Sequence, residues 1–333
     1  MSSYDLIQIS DLHVGENPNL ASVLTFWNSF PNPGNGGGER YGIGRQSTHD
    51  DRMAAKVARF LVDHRTDKSL LLISGDLACT GLVEDLNAAL GMLENLPNRD
   101  PKLYWLDALM RPTFGNVRLR TFILPGNHDR FRTRLGAPGG RNFERVFSHL
   151  YRTRPDHPAI KRLVIGLPGE PARLCLIAAD FCLADDTQAS RLDGVPGQGF
   201  ADPATVASLV RRTADTRLEA PDAGIVWVLH FPPTIKDIHD ERLHLVGHKN
   251  VLDAASANGV GLVLAGHVHR KMLTRDRGVT IACAGTAMAV PASAGLWIHI
   301  VRIECDAGTA RLVQRRNFEW SLRYGGFVEQ AAD

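Results

Sequence analysis

The sequence predicts an α/β fold built in layers. Seven short runs rich in Ile, Val, Leu or Phe have the length of β-strands, and stretches with helical spacing of apolar residues lie between several of them. Most of the runs lack the polar–apolar alternation of a strand with one exposed face, so both faces of the sheet are expected to be covered. Strands that alternate with helices are typical of layered α/β proteins.

The predicted strands share a high content of β-branched and aliphatic residues over four to seven positions. In chain order they are YDLIQIS from Tyr4, SLLLIS from Ser69, RTFILP from Arg120, RLCLIAA from Arg173, GIVWVLH from Gly224, GLVLAGH from Gly261 and VTIACAG from Val279.

Three stretches between the strands are predicted to be helices. The first begins at Asp50 and the second at Leu82, and both repeat apolar residues at intervals of three and four. The third follows Asp202, a residue type that caps helix N-termini, and has Pro203 at its first helical position.

The C-terminal part has a different pattern. The segment LWIHIVRIECDAGTARLVQRRNFEW is predicted to form an antiparallel hairpin within residues 296–320, with its turn at CDAGT. We expect a single domain over residues 1–320, including this hairpin, and a C-terminal tail over residues 321–333.

Composition excludes several classes of protein. The formal net charge is only +2, which argues against a sequence-independent nucleic-acid binder held by charge. The five cysteines are odd in number and show no CxxC spacing, so neither a disulfide framework nor a zinc ribbon is indicated. The N-terminus lacks the pattern of a signal peptide, and no run approaches the ~20 apolar residues of a membrane span. We expect a cytoplasmic protein that does not enter a membrane.

Polar residues follow five of the predicted strands. DLH follows the first, GD the second, GNHD the third, a histidine the fifth and GHVH the sixth. In open α/β sheets, ligands bind at the carboxyl ends of the strands. Each motif alone has an ordinary explanation, such as a turn or a core histidine. Their recurrence at one sheet edge favours a shared site.

The residue types indicate a metal site. Carboxylate, amide oxygen and imidazole are ligands that suit Zn, Mn or Fe. Residues i and i+2 of an extended segment point to the same side, so each Asp-x-His or His-x-His pair can direct two groups into one pocket. Seven ligands exceed what one tetrahedral ion takes and suit two ions about 3.5–4 Å apart, whose residual positive charge favours an anionic substrate such as phosphate. The candidate ligands are Asp11, His13, Asp76, Asn127, His230, His267 and His269.

The order DxH, GD, GNHD, H and GHxH resembles the calcineurin-like metallophosphoesterases over residues 11–269. The resemblance implies a four-layer α/β/β/α sandwich of two mixed β-sheets flanked by helices, with a dinuclear site at the strand ends. It also implies a role for each candidate ligand. Asp11, His13 and His269 would hold the first ion, Asn127, His230 and His267 the second, and Asp76 would bridge the two.

The same resemblance implies catalytic roles for the two residues after Asn127. His128 would contact the substrate phosphate or protonate the leaving oxygen, and Asp129 would orient the His128 ring. Two divalent or mixed-valence ions (Mn, Fe or Zn) would provide a bridging hydroxide that attacks phosphorus in line, so no Ser or Cys nucleophile is required. Arg40, Arg45 and Arg130 are further candidates, for binding a second charged group of the substrate.

Within the family, GDLACTGLVEDL, GNHDR and HFPP with LAGHVHR are most similar to the bacterial cyclic-nucleotide and glycerophospho-diesterase branch. That branch commonly has two adjacent histidines before its prolines, whereas the second position here is Phe231. The leading hypothesis is hydrolysis of a small phosphodiester, such as a cyclic nucleotide. A phosphomonoesterase, a protein phosphatase and a metal-holding scaffold without turnover are the alternatives, and the near-neutral charge disfavours a nuclease. The glycine-rich stretch 31–47 is most simply a flexible surface connection, and both it and the insertion at 99–116 could instead form a lid or the surface of a homodimer.

Overall fold

A computed structural model describes most of the chain. The described residues are 1–15, 48–49, 51–66, 69–94, 120–132, 139–166, 172–182, 198–234, 243, 245–290 and 295–331. The two insertions at 31–47 and 99–116, with Arg40 and Arg45, lie outside these ranges.

The first sheet has six strands in the order β14-β13-β12-β1-β3-β4. Three of them run parallel and carry the DLH, GD and GNHD motifs at their ends, whereas the C-terminal strands add an antiparallel meander on the other side of β1. The strands are β1 (Ser2–Ile9), β3 (Leu70–Ile73), β4 (Arg120–Ile123), β12 (Trp297–Asp306), β13 (Thr309–Ser321) and β14 (Gly326–Gln330).

The second sheet also has six strands, in the order β5-β6-β7-β8-β10-β9. Its four central strands are parallel and its two edge strands are antiparallel. The strands are β5 (Ile160–Ile165), β6 (Leu174–Ala179), β7 (Gly224–Leu229), β8 (Leu262–Ala265), β9 (Met272–Asp276) and β10 (Val279–Cys283). A separate pair, β2 (Thr48–His49) with β11 (Ala289–Val290), forms a two-stranded ladder.

The described helices include the three that the sequence predicts. Asp202 caps the longest one by accepting a hydrogen bond from the Thr205 N–H at 2.9 Å, and Pro203 is its first residue. The helices are α1 (Asp51–His64), α2 (Val83–Glu94), α3 (Asn142–Val146), α4 (Pro203–Glu219) and α5 (His248–Ala257), with a 3-10 helix at His128–Arg130.

Alternate residues of the second sheet enter two different cores. Leu174, Leu176 and Val226 belong to the larger core with the first sheet and the helices α1, α2 and α3, whereas Ile177 and Trp227 belong to a second core with α4 and α5. Both faces are therefore buried, which explains why the strand sequences do not alternate. The predicted arrangement of two mixed sheets flanked by helices is confirmed.

The C-terminal prediction needs one correction. The hairpin over residues 296–320 is present as β12 and β13, but residues 326–330 form the strand β14 instead of part of a tail. This strand pairs with β13 after a turn at Gly325, whose φ of +60° is the left-handed conformation that glycine adopts most readily. Among the described residues, no helix combines the length and the apolar character needed to cross a bilayer.

Candidate metal centre

The seven predicted ligands all lie at the junction of the two sheets. Four follow strands of the first sheet: Asp11 and His13 after β1, Asp76 after β3 and Asn127 after β4. The other three follow strands of the second sheet: His230 after β7, and His267 and His269 after β8. The structure therefore brings together every ligand that the sequence nominated. Three overlapping groups within this site have ligand atoms less than 4.8 Å apart and could hold a metal ion.

The backbone at these positions differs from the expected extended conformation. Asp11, His13, Asp76, His267 and His269 have φ between +51° and +71°, and they are five of the seven non-glycine residues with positive φ in the described chain. Left-handed backbone at such residues costs on the order of 1–3 kcal/mol each and persists only where the surroundings enforce it. The strands end before the motifs begin, so the side chains converge through strained turns and not through strand alternation.

Hydrogen bonds between neighbouring loops hold these turns. The Asp11 N–H donates to the Gly75 carbonyl at 3.0 Å, and the N–H groups of Leu12 and His13 both donate to the Asp76 carbonyl, at 2.8 and 3.0 Å. On the side chain, the Asp11 Oδ2 accepts the His267 N–H at 3.1 Å. The loops of both sheets thus stabilise one another where the backbone is least relaxed.

Glycine occurs in three of the motifs at positions where another side chain occupies the space of a Cβ atom. A Cβ on Gly75 would lie 2.2 Å from the Nδ1 of His230, and one on Gly126 would lie 2.2 Å from the Oδ1 of Asp76. A Cβ on Gly266 would lie 1.9 Å from the Ser10 Oγ. These contacts are shorter than real carbon contacts, so packing requires glycine at all three positions, and the φ of +109° at Gly75 favours glycine there as well.

The first ligand group consists of Asp11, His13 and His269. The Nε2 atoms of His13 and His269 lie 3.1 Å apart, and the His269 Nε2 lies 3.4 Å from the Asp11 Oδ1. Ligand atoms about 2.0–2.1 Å from a tetrahedral zinc are separated by about 3.3 Å. The Asp11 Oδ1 is buried and has no hydrogen-bond partner in the described part of the chain. The donor set and its spacing fit a cation.

The second group surrounds the imidazole of His230. Its Nδ1 donates to the Ser74 carbonyl at 2.8 Å, so the Nε2 of the neutral ring carries a lone pair. That Nε2 lies 3.0 Å from the Asn127 Oδ1 and 3.4 Å from the Asp76 Oδ2. The His267 Nε2 is buried nearby and makes no hydrogen bond within the described residues. The lone pairs of the His230 Nε2, the Asn127 Oδ1 and the Asp76 Oδ2 therefore face one another. A proton or a cation between these atoms would remove their repulsion.

Asp76 lies between the two groups. Its Oδ1 accepts the His128 N–H at 2.8 Å, which fixes the carboxylate. Its Oδ2 lies 3.4 Å from the His230 Nε2 and 3.8 Å from the His13 Nε2. One carboxylate oxygen therefore faces a histidine of each group, which is the geometry that a shared ligand requires.

Electrostatic interactions in the site favour positive charge between the ligands. Burial alone would raise the pKa of Asp11, but the neighbouring His269 lowers it to about 2. Burial alone would lower the pKa of His230, but Asp76 raises it to about 9. Burial and the charge of His230 lower the pKa of His267 to about 3. The buried carboxylates thus attract positive charge, which a bound cation would supply.

His128 lies beside the two groups. The ring of His128 packs edge-on against that of His13 with centroids 4.4 Å apart, and its Nδ1 donates to the Cys79 carbonyl at 2.8 Å. Its ligand-atom distances also allow a third group, with His13 and Asp76. A carbonyl only accepts, so the hydrogen bond places the proton on Nδ1 and leaves Nε2 for other partners.

The hydrogen bonds of Asp129 differ from the expected one to the His128 ring. Its carboxylate accepts the N–H groups of Leu77, Ala78 and Gly126 at 3.1, 2.8 and 2.9 Å, and the His128 ring is held by the Cys79 carbonyl instead. Asp129 therefore shapes the loops that carry Asp76 and Asn127. The sequence could not show that the Cys79 carbonyl holds the His128 ring, because every residue has a backbone carbonyl.

Arg130 also departs from expectation. The side chain of Arg130 is 1% exposed and forms ion pairs with Asp180 and Glu144, so it is not available to a charged group of the substrate. Cys79, also near the site, donates its thiol hydrogen to the His13 carbonyl at 2.6 Å.

Comparisons with known proteins place these motifs in a family. The profile of the calcineurin-like phosphoesterases matches residues 4–271. A dimetal phosphatase from Danio rerio is similar in structure, with a TM-score of 0.55 and 10% identity over 93% of this chain and 98% of that one. The calcineurin-like phosphoesterase YfkN from Bacillus subtilis aligns with a TM-score of 0.46 and 12% identity over 98% and 93% of the two chains.

No curated protein matches the sequence at a significant level. The structural similarity to the Danio rerio protein supports the fold alone, because the identity is low. The profile match spans most of the chain and includes every strand end that carries a predicted ligand. The chain therefore belongs to the calcineurin-like phosphoesterase family.

Proposed function

We propose that the protein hydrolyses a small phosphodiester, such as a cyclic nucleotide, with two metal ions bound by the seven clustered side chains. Asp11, His13 and His269 would hold one ion, and Asn127, His230 and His267 the other. The observation that carries this proposal is the Asp76 Oδ2, which faces histidines of both groups at 3.4 and 3.8 Å.

The ions, Mn, Fe or Zn, would supply a hydroxide at neutral pH and neutralise the phosphoryl oxygens of the substrate. The chain itself orients the donors. Ser74 fixes the tautomer of His230 through its carbonyl, and the His267 N–H fixes one oxygen of Asp11. Burial of the site lowers the local dielectric constant, so the bound cations would attract an anionic phosphate more strongly than they would in water.

His128 would act on the substrate and not on the metals. Its Nδ1–H is held by the Cys79 carbonyl, so its Nε2 is the nitrogen that can exchange a proton with the leaving oxygen. A phosphate anion near the ring would favour the protonated form that an acid requires.

The preference for diesters is supported by the similarity of the GD, GNHD and GHVH segments to the diesterase branch. The structurally similar Danio rerio protein is a dimetal phosphatase, which favours a second candidate, phosphomonoester hydrolysis. Turnover of a chromogenic diester and a chromogenic monoester by Mn-reconstituted protein, followed by a panel of cyclic nucleotides, separates the two. A scaffold would bind two equivalents of metal and hydrolyse neither ester.

The variant His128→Ala tests the assignment of roles. We expect the metal content, measured by plasma mass spectrometry, to stay near two equivalents while turnover falls by roughly 10²-fold or more. His149→Ala, at an exposed histidine after α3, is the matched control and should retain both properties. Loss of metal from His128→Ala would assign this histidine to the ligand set instead.

A further inference from the structure

We propose that Arg130 is a positioning residue for His128, and that its buried ion pair with Asp180 fixes the His128 turn against the second sheet. This inference rests on the proposed function of His128. Arg130 is the last residue of the 3-10 helix that begins at His128, so it shares one rigid turn with the proposed acid.

Every N–H group of the Arg130 side chain has an acceptor. Its Nε and Nη2 donate to the Asp180 Oδ2, the former at 3.0 Å, and its Nη1 donates to the Gly140 carbonyl at 3.1 Å. The two Nη atoms also bind the Glu144 carboxylate, at 2.8 and 2.5 Å. The five donors of a guanidinium are thus satisfied, and the planar group is fixed in one orientation.

The partners of Arg130 are themselves held in place. Asp180 follows β6, its side chain is 0% exposed, and its Oδ1 accepts the Cys182 N–H at 2.9 Å. The Asp180 N–H donates to the Ala159 carbonyl at 2.9 Å. Glu144 lies on α3, and Gly140 donates its N–H to the Arg130 carbonyl at 2.8 Å.

These contacts join the two sheets beside the metal site. Arg130 follows β4 of the first sheet, and Asp180 follows β6 of the second. The turn that Arg130 ends also begins next to Asn127, whose Oδ1 meets His230 of the second sheet at 3.0 Å. The ion pair therefore crosses the same junction as the ligands, and it sets where His128 stands relative to groups from both sheets.

A lysine at this position would keep the positive charge but lose the planar guanidinium group, whose N–H donors bind two carboxylates at once. Arg130→Lys can form at most three of these hydrogen bonds and cannot bind two carboxylates in parallel. We expect Arg130→Lys to fold and to bind two equivalents of Mn²⁺. Its kcat should fall by roughly tenfold or more at a nearly unchanged KM, because a displaced acid acts in the transition state and contributes little to substrate binding.

A double-mutant cycle makes the test specific to His128. If Arg130 acts through His128, then Arg130→Lys should cause little further loss of kcat in the His128→Ala background. An equal loss in both backgrounds, or loss of Mn²⁺ from Arg130→Lys, would overturn the proposal.

The matched control is Arg173→Lys. Arg173 forms a bidentate pair with Asp222 at 2.7 and 2.5 Å, and it lies at the opposite end of β6 from Asp180. We expect the kcat of this variant to be unchanged.

Glu144→Gln keeps the Asp180 pair and provides a second test if Arg130→Lys does not fold. It should give a smaller loss of kcat in the same direction, and no loss would count against the proposal.

A spectroscopic measurement distinguishes failure of this inference from failure of the proposed function. The His128 Nδ1–H is held by the Cys79 carbonyl, so ¹⁵N-histidine-labelled protein should show a slowly exchanging imidazole proton for it. Its exchange should accelerate in Arg130→Lys and not in Arg173→Lys, even if no phosphate ester is hydrolysed. An unchanged exchange rate in Arg130→Lys would show that Arg130 does not position His128.

Discussion

At the scale of single residues, the two ligands of each D-x-H or H-x-H motif both have a strained, left-handed backbone conformation. Asp11 and His13 have φ of +54° and +51°, and His267 and His269 have +71° and +53°. In each pair the two left-handed residues flank a buried aliphatic one, Leu12 or Val268, which anchors the turn in the core. Folding energy from that burial offsets the strain, so the packed core can hold the ligand-bearing turns in this conformation.

The first prediction concerns Gly266, where a side chain has no room. Gly266→Ala places a Cβ 1.9 Å from the Ser10 Oγ and 3.1 Å from the Asp11 Oδ2. We expect the loop to shift, the unfolding free energy to fall by about 1–3 kcal/mol, and metal affinity to fall with it. Urea denaturation and titration calorimetry with Mn²⁺ measure the two effects.

A second substitution tests the cause. The double variant Ser10→Gly/Gly266→Ala removes the nearest contact, so it should recover part of the lost affinity when compared with Ser10→Gly alone. Gly91→Ala, on α2 with nothing within 4 Å of the new Cβ, is the control and should stabilise the helix by about 0.5–1 kcal/mol. A Gly266→Ala variant with normal affinity would disprove the steric explanation.

At the scale of secondary-structure elements, β5 contains an unusual buried cation. The Lys161 Nζ donates to the carbonyls of Ile123 and Leu150 at 3.2 and 2.6 Å, and it lies 4.4 Å from the centroid of the Phe122 ring. Burial lowers the pKa of Lys161 to about 7. The strand was absent from the sequence prediction because IKRLVI has two adjacent charged residues, Lys161 and Arg162, and shows neither alternation nor an uninterrupted apolar run.

This lysine predicts a pH dependence of stability. Its pKa is about 7 in the folded protein, against 10.5 for a lysine exposed to water, so between these values the unfolded chain binds more protons. Stability should therefore rise with pH above about 7, by at most ~1.4 kcal/mol per unit for this one group. Lys161→Met should remove that rise, as measured by urea denaturation at pH 7, 8 and 9.

The control for this prediction is Lys249→Met, at an exposed position on α5, which should retain the wild-type slope. If Lys161→Met and the wild type show the same dependence on pH, Lys161 stays protonated in the folded state, and its two carbonyl acceptors and the Phe122 ring compensate for its burial.

At the scale of the whole molecule, the candidate site joins the two sheets. Four of its ligands belong to loops of the first sheet and three to loops of the second. Each ion would therefore link both halves of the sandwich, either directly or through Asp76. An ion that binds only the folded chain stabilises it by RT ln(1 + [L]/Kd), about 2.7 kcal/mol when its concentration is 100 times Kd.

We predict that metal removal destabilises the protein. Chelation with EDTA should lower Tm by roughly 5 °C or more relative to the Mn-loaded form, as measured by calorimetry. Asp76→Asn weakens the ligand that faces both groups. In this variant, the difference in Tm between the Mn-loaded and the EDTA-treated protein should be much smaller. A Tm that does not respond to metal in the wild type, or responds equally in Asp76→Asn, would contradict a shared site.

Much of this architecture could be predicted from local sequence. The seven apolar runs all became strands, and the chemistry of the residues after them was sufficient to nominate the ligands that the structure brings together. The edge strand β4 was predicted because its sequence is apolar, whereas the two-residue strands β2 and β11 and the edge strands β5, β9 and β14 were not predicted. One-sided or partial burial leaves a weak apolar signal in such strands.

The sequence by itself determined which residues could serve as ligands, because ligand chemistry is a property of residue type. The need for glycine before three of the motifs was decided by the tertiary structure, because the atoms that would meet a Cβ there come from distant parts of the chain. Only the tertiary structure decided that Asp129 shapes a loop, that Cys79 holds the His128 ring, and that Arg130 pairs with Asp180 across two sheets. Such partners are 49–51 positions apart in the chain. No local pattern encodes them, since they depend on which strands are neighbours in the first sheet and on how the two sheets pack.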